Sequence, residues 1–330
     1  MRPCRPVPAH LADRAFSRKE ALAAGITPRM LQHPRFVEVH PSVYRLAGVE
    51  LDDAGRIRAA HLALPQDAVV SHGTRLWLLG AERGALVPFH FTVARDLHLS
   101  IDGITLHRTV AMPANDGTVV TVEAAFIGLA SYARLIDLVA VGDWLLHRRL
   151  MTRSTLAQLA NKQPWRPGAT QAMSVLPVLD GRSRSMPESE TRLCLILAGL
   201  PIPAVNADVH DDDGRFLGCG DLVYFLWKLL IEYEGGQHFT DAVQIASDVD
   251  RYAGIRGDDW DYVQVTKKHL RRPKAMVQRV HRALVARGYD GPAPDFGDRW
   301  RSLFRPVPAV RGASATASAP MTLQIDRSTG

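Results

Sequence analysis

The hydrophobic and polar positions near the N-terminus change their spacing twice. Ser17-Arg-Lys-Glu20 has the form of a capping box and predicts a helix that ends at Gly25. Thr27-Pro28 predicts a second short helix, because proline suits the first helical position after a capping residue. From residue 36 to 46 apolar side chains recur with period two, which predicts a β-hairpin. This order is typical of a winged helix-turn-helix, which we assign to residues 14–50.

The next part of the chain, residues 51–160, mixes helical and strand spacing and predicts an α/β middle region. Helices are expected at 56–64, 119–129, 135–150 and 154–160, and strands at 89–93, 97–101 and 104–107. Residues 161–187 are rich in Pro, Gly, Ser and Arg and predict a linker. Within it, residues 169–179 have helical spacing that Pro177 interrupts.

The spacing of the last third predicts an α/β domain over residues 188–290. Helices are expected at 188–199, 241–255 and 272–287, and strands at 204–210, 217–225, 228–234 and 261–266. Residues 306–330 are mostly Ala, Ser, Thr and Pro, which predicts a disordered tail. The fold class expected for the whole chain is therefore α/β (α+β overall), with a winged head, a mixed middle region and a C-terminal α/β core.

The amino-acid composition excludes some classes of protein and leaves others open. The 330 residues predict two or three folded units, and a hydrophobic fraction of 46% excludes an intrinsically disordered chain. A net charge of +6 is compatible with nucleic acid but is equally common in other proteins. The three cysteines, Cys4, Cys194 and Cys219, are too scattered for a disulfide framework or a zinc site. Without a signal-peptide core or a long apolar run, we expect a soluble cytoplasmic protein with no membrane partner.

Acidic residues in the last domain are the clearest candidate chemistry. Asp221 opens one predicted strand, and Glu232 and Glu234 lie near the end of the next, where they share a face. A tight turn near residues 226–227 places Asp221 opposite them. Such crowded carboxylates repel one another unless a cation joins them, which predicts Mg²⁺ or Mn²⁺. The metal would polarise a phosphodiester, with His238 as general acid, general base or further ligand.

The sequence around these acidic residues is similar to that of a known family. Asp221-Leu-Val…Ile-Glu232-Tyr-Glu234-Gly-Gly-Gln-His238 resembles the Asp…Glu-x-Asp-Gly-x-x-His pattern of small endonuclease-like domains related to very-short-patch-repair enzymes. Those domains belong to the restriction-endonuclease-like fold with a PD-(D/E)xK core. The similarity covers residues 185–288 and includes Ser185-x-x-Glu188, Ala198-Gly-Leu-Pro201, Asp250-Arg251 and Val263-Gln-Val-Thr266.

The resemblance implies roles for individual residues. Glu188, Asp221 and Glu232 would be metal or water ligands. Glu234 stands in the place of the usual lysine, and His238 would be the accessory acid–base residue. Arg251 would contact a phosphate.

The upstream half is similar to a second family. Residues 17–46 resemble the winged-helix head of the antitoxins of abortive-infection toxin–antitoxin systems. Val70-Ser-His72, Phe91-Thr-Val93 and Val141-Gly-Asp143-Trp-Leu match the antitoxin-like middle region, so that the resemblance covers residues 14–160. One departure is Ala124-Ala-Phe-Ile-Gly128-Leu-Ala, where relatives usually carry Arg-Thr…Asp-Leu-Ala.

Two departures lie in the last domain. Phe225-Leu226 follows Asp221 where relatives favour proline and acidic residues, and this apolar tip either contacts a partner or packs. Glu234 replaces the more frequent aspartate, which lengthens the side chain by one methylene group.

Each candidate also has a purely structural interpretation. Glu188 completes a capping box with Ser185, and Asp221 could be a solvated strand end. Glu232 and Glu234 could lie on an edge strand with solvated charges. His238 could be a turn residue, and Arg251 could pair with a nearby acid.

DNA binding is expected from the head. Arg29, Gln32 and Arg35 lie on or after its second helix and are candidate groove contacts; the alternative is surface solvation. Two functions follow from these patterns. One is a DNA-binding, Mg²⁺-dependent endonuclease that hydrolyses DNA phosphodiester bonds. The other is an antitoxin-type transcriptional regulator whose nuclease-like domain is catalytically inert, with a homodimer or a cognate toxin as further partners.

Overall fold

The computed structural model describes residues 6–235 and 259–309. The chain divides into two compact units, Met1–Gly128 and Leu129–Gly330. In the described ranges, helices are interspersed with three small sheets, so the expected α/β fold class is confirmed. None of the helices in these ranges has the length and apolar character needed to cross a membrane.

The first unit begins with the predicted two helices and hairpin. Its elements are α1 (Ala9–Ala12), β1 (Phe16–Ser17), α2 (Arg18–Ala23), α3 (Pro28–Leu31), β2 (Phe36–His40) and β3 (Val43–Leu46). Ser17 and Glu20 form both hydrogen bonds of the capping box, and Thr27 caps α3 with Pro28 at the first helical position. The sheet has the order β1-β3-β2. Its core consists of Leu11, Phe16, Ala21, Ile26, Leu31 and Phe36.

A second small sheet follows in the same unit. The elements are α4 (Asp53–Leu62), β4 (Val69–Val70), α5 (His72–Trp77), β5 (Phe89–Val93), β6 (Ile104–Arg108) and α6 (Val122–Ala130). Central β5 pairs antiparallel with β4 and parallel with β6. The strand expected at 97–101 is not formed, because this stretch meets β6 only through the single bridge from Ile101 to Ile104.

The second unit opens with helices, including one in the segment expected to be a linker. They are α7 (Leu135–His147), α8 (Arg153–Lys162), α9 (Ala169–Val175) and α10 (Met186–Leu197). Residues 161–187 thus contain α9, and Ala172, Val175 and Leu179 are fully buried. The segment forms a packed helix despite its Pro- and Gly-rich composition, because its apolar side chains lie at helical spacing. Near Pro177 the helix gives way to a 3₁₀ turn, Leu176–Val178.

A four-stranded sheet follows α10 and positions the candidate site. The elements are β7 (Ala204–His210), β8 (Phe216–Tyr224), β9 (Leu229–Glu234), β10 (Asp261–Thr266), α11 (Lys267–Leu270), α12 (Pro273–Ala286) and α13 (Asp298–Arg301). The strand order is β10-β9-β8-β7; β7, β8 and β9 are antiparallel neighbours, and β10 is parallel to β9. Strand β9 therefore lies inside the sheet. The helix predicted at 241–255, and the predicted tail from residue 310 onwards, lie outside the described residues.

Candidate metal centre

Asp221 and Glu232 lie beside each other on neighbouring strands. The antiparallel register of β8 and β9 pairs Leu222 with Ile231, and one further step along both strands places Asp221 beside Glu232. Asp221 Oδ2 accepts a hydrogen bond of 2.8 Å from the backbone N–H of Tyr233. The Asp221 carboxylate therefore lies against the backbone that carries Glu232, as the hairpin spacing predicted.

Glu232 is buried on an interior strand. Glu232 is 7% exposed, and β9 has β8 on one side and β10 on the other. The interpretation of β9 as an edge strand with solvated charges is wrong, because the parallel strand β10 covers that edge. Removing a carboxylate from water is costly unless hydrogen bonds, a counter-charge or a metal compensate. A buried acid at this position therefore indicates a specific role.

Glu234 shares the polar face with Glu232, as predicted from their spacing. The parallel register pairs Gln264 of β10 with Glu232, and the Gln264 amide Nε2 donates a hydrogen bond to Glu234 Oε2. Gln264 thus lies beside both acids. Glu234 is half-buried.

Glu188 lies at the start of α10, and its carboxylate reaches the sheet. Ser185 Oγ accepts the Glu188 N–H at 3.3 Å, so Ser185 caps the helix as the motif indicated. Glu188 Oε2 accepts the Arg184 N–H at 2.9 Å and the Asn206 Nδ2 at 2.8 Å. Capping therefore explains only part of the role of Glu188, because the contact with Asn206 ties the carboxylate to β7.

A buried ion pair fixes the helix that carries Glu188. Arg192 of α10 lies 2.7 Å from Asp143 of α7, with side chains 4% and 0% exposed. Asp143 Oδ1 also accepts the backbone N–H of Asp180 at 2.6 Å. Burial raises the pKa of the Asp143 carboxyl, and the neighbouring Arg192 charge opposes that rise. Sequence reasoning noted Asp143 only as part of a motif and missed Arg192, because no local signal links residues so distant in the chain.

The donor set fits a small, hard cation. Mg²⁺ is commonly held by one or two carboxylates, with water and substrate phosphate completing its shell. Asp221 and Glu232 supply such a pair. Within residues 6–235 and 259–309, no three His, Cys, Asp or Glu side chains are grouped closely enough to hold a metal ion. The structure therefore does not bring Glu188 into one ligand group with the pair. His238 and Arg251 lie outside the described residues.

The head presents part of the predicted DNA-contacting set. Arg29 on α3 and Gln32 directly after it are exposed. Arg35 is half-buried, and its guanidinium stacks over the Phe36 ring at 4.8 Å from the centroid. This stacking gives Arg35 a packing role in the head. Of the three predicted contacts, Arg29 and Gln32 are the more accessible.

Three histidines form a stack in the first unit, and only His72 of them was named from the sequence, as part of a motif. The His72 and His107 ring centroids are 3.7 Å apart, and His90 Nδ1 lies 2.9 Å from His107 Nε2. Burial lowers the pKa of His90 and of His107 to about 4, so both rings are neutral near pH 7. Gly128 packs against His72, where an added Cβ would lie 2.5 Å from the ring. The stack is therefore a tightly packed, uncharged part of this unit.

Comparison with known proteins gives similarity to two bacterial relatives. No protein-family model matches the chain. Uncharacterized protein MT2308 of Mycobacterium tuberculosis strain CDC 1551 / Oshkosh and uncharacterized protein Rv2248 of strain ATCC 25618 / H37Rv are each 28% identical over 255 residues. The alignment covers 75% of this chain and 92% of each relative. Because three quarters of the chain exceeds the length of either compact unit, the similarity includes parts of both.

Proposed function

We propose that the chain is a DNA-binding protein whose C-terminal domain hydrolyses DNA phosphodiester bonds with Mg²⁺ or Mn²⁺. The observation that carries this proposal is the buried Glu232 carboxylate on the interior strand β9, with the Asp221 carboxylate beside it. Two adjacent acids in a largely apolar sheet are unfavourable without a compensating positive charge. The resemblance to very-short-patch-repair-like domains supports the same chemistry.

Each residue of the candidate site has a separate role in this proposal. Asp221 and Glu232 would hold the cation, and Glu188 would bind a water molecule at its edge. When bound, the metal supplies Lewis-acid polarisation of the phosphodiester and lowers the pKa of a bound water. The hydrogen bond from Tyr233 N–H restrains the Asp221 carboxylate, and burial keeps bulk water from Glu232. His238 would carry the proton and Arg251 would contact a phosphate, as the resemblance implies.

The head would place the chain on DNA. Arg29 and Gln32 are exposed and have the side chains that pair with guanine and adenine edges in the major groove. The net charge of +6 favours approach to the phosphate backbone. We place this activity in the cytoplasm, where the protein would meet chromosomal or foreign DNA.

A nicking assay tests the proposal. Purified full-length protein is incubated with supercoiled plasmid and Mg²⁺ or Mn²⁺, and Asp221→Asn and Glu232→Gln are compared with Asp212→Asn. Asp212 has a side chain that is 90% exposed, so its variant removes one acid without touching the pair. Loss of the metal contribution is expected to lower nicking about a hundredfold or more in the two site variants. Equal nicking by all four proteins, or none by the wild type, would contradict the proposal.

A second candidate is the antitoxin-type transcriptional regulator with an inert nuclease-like domain. The observation that favours it is that acids of the candidate site already accept protein hydrogen bonds: Glu188 from Asn206, Asp221 from Tyr233 and Glu234 from Gln264. This function predicts sequence-specific binding to the protein's own promoter that a metal chelator leaves unchanged. It also leaves room for a homodimer or a cognate toxin as partner.

DNA-binding measurements test the head, which both candidates place on DNA. Arg29→Ala combined with Gln32→Ala should weaken promoter binding, whereas Arg35→Ala should lower head stability because Arg35 packs on Phe36. Promoter binding that the double variant leaves unaffected would argue against the head as the reader of DNA.

A further inference from the structure

Asn206 lies in the same row of the sheet as the acid pair. The antiparallel register of β7 and β8 pairs Val205 with Leu222 and Ala207 with Gly220, and these pairs bracket Asn206 and Asp221. Across the four strands, the row therefore reads Asn206, Asp221, Glu232 and Gln264. Every position in this row carries a side-chain oxygen.

The backbone of Asn206 has an unusual conformation for a strand residue. Its φ of 45° lies in the left-handed region, which asparagine tolerates better than most residues because of its short polar side chain. Such conformations in non-glycine residues cluster at functional sites. The register with β8 is continuous on both sides of Asn206, and the Asn206 side chain reaches Glu188 of α10.

The hydrogen bonds of Asn206 determine which end of its amide faces which neighbour. Nδ2 donates to Glu188 Oε2 at 2.8 Å and to the Arg182 carbonyl at 2.9 Å. Both neighbours are acceptors, so the NH₂ end must face them and Oδ1 faces away. Oδ1 is buried and has no hydrogen-bond partner in the part of the chain that the structure describes. A buried acceptor of this kind calls for a donor or a cation.

We infer that Asn206 is a further residue of the divalent-cation site, and this inference rests on the proposed function. Its Oδ1 is an oxygen ligand beside Asp221 and Glu232, while its Nδ2 holds the Glu188 carboxylate on the other side of the amide. A neutral amide oxygen adds a ligand without adding to the repulsion between the acids. Asn206 thereby links α10 to the sheet at the point where the cation binds.

Mn²⁺ titration followed by electron paramagnetic resonance tests this inference on the full-length protein. Asn206→Gly removes the side chain and suits the left-handed backbone, whereas Asn206→Asp keeps an oxygen but loses the donor to Glu188. We expect Mn²⁺ binding at least about tenfold weaker in Asn206→Gly and equal or tighter in Asn206→Asp. Asp212→Asn serves as the charge control, and the melting temperature of each variant shows that it is folded.

The outcomes are distinguishable. If both Asn206 variants lose Mn²⁺ binding alike, Asn206 acts only as a donor to Glu188 and the ligand assignment is wrong. If Asp221→Ala abolishes binding while Asn206→Gly leaves it unchanged, the inference fails and the proposed metal site stands. If Mn²⁺ does not bind the wild type, or if Asp221→Ala leaves binding unchanged, both fail together.

Discussion

The buried pair of Asp143 and Arg192 allows the sharpest stability prediction. Substituting Arg192 by methionine leaves the Asp143 carboxylate with no counter-charge in a site that is 0% exposed. It also removes the donor to the Val178 carbonyl at 3.0 Å. Breaking one side of a buried pair typically costs about 3–5 kcal/mol, so Arg192→Met should lower the free energy of unfolding by that amount at pH 7.

Protonation of Asp143 sets an upper limit on this cost. With an unfolded-state pKa of about 3.9, protonating the carboxyl costs about 4 kcal/mol at pH 7 and only about 1.5 kcal/mol at pH 5. In the variant the folded-state pKa lies above the unfolded-state value, so folding takes up a proton and stability increases as pH falls. Because the Asp143 pKa is also raised in the wild type, the deficit of Arg192→Met relative to wild type should shrink by at most roughly 2–3 kcal/mol between pH 7 and pH 5.

Urea denaturation followed by circular dichroism at both pH values measures this effect. Arg301→Met is the matched control, because the Arg301–Asp298 pair has side chains 52% and 88% exposed and should contribute less than about 1 kcal/mol. Replacing both Asp143 and Arg192 by leucine should recover much of the loss, since neither charge is then buried alone. A deficit below about 1 kcal/mol, or one that is the same at both pH values, would refute the reasoning.

Three further predictions concern other parts of the chain. The pKa values of His90 and His107 are about 4, below the usual 6.5, so the unfolded state binds protons first as pH falls. The free energy of unfolding should therefore decrease from pH 6.5 to 4 by roughly 3 kcal/mol per imidazole. In urea titrations, a His107→Gln variant should show a shallower decrease. Gly128→Ala should lower the melting temperature, because its Cβ would overlap His72, whereas Gly117→Ala should cost only its left-handed strain, as nothing lies within 4 Å of its added Cβ. Mn²⁺ should raise the melting temperature of the wild type but not of Glu232→Gln, because a ligand that binds only the folded state stabilises it; a metal-induced shift in both would contradict the assignment of Glu232.

Local signals predicted much of the fold. The capping box at Ser17, the cap at Thr27 and the alternation after residue 36 each act within a few residues, and each forms in the structure. The pairing of Asp221 with Glu232 was also predictable, because one short turn fixes the register of a hairpin.

The remaining features depend on contacts between residues far apart in the chain. Asn206 joins the row through the register of β7 with β8, and Gln264 joins it through a parallel strand beyond residue 258. Neither position carries a motif of its own. Within the expected linker at 161–187, spacing indicated the helix at 169–175, but burial of Ala172 and Val175 depends on tertiary packing.

The central claim is that Asp221 and Glu232 together hold a divalent cation. Crystals grown with Mn²⁺ and measured at its absorption edge test it directly. We expect one strong anomalous peak in contact with carboxylate oxygens of both residues, which disappears in Asp221→Asn crystals. A well-ordered sheet with no anomalous peak at this pair would contradict it.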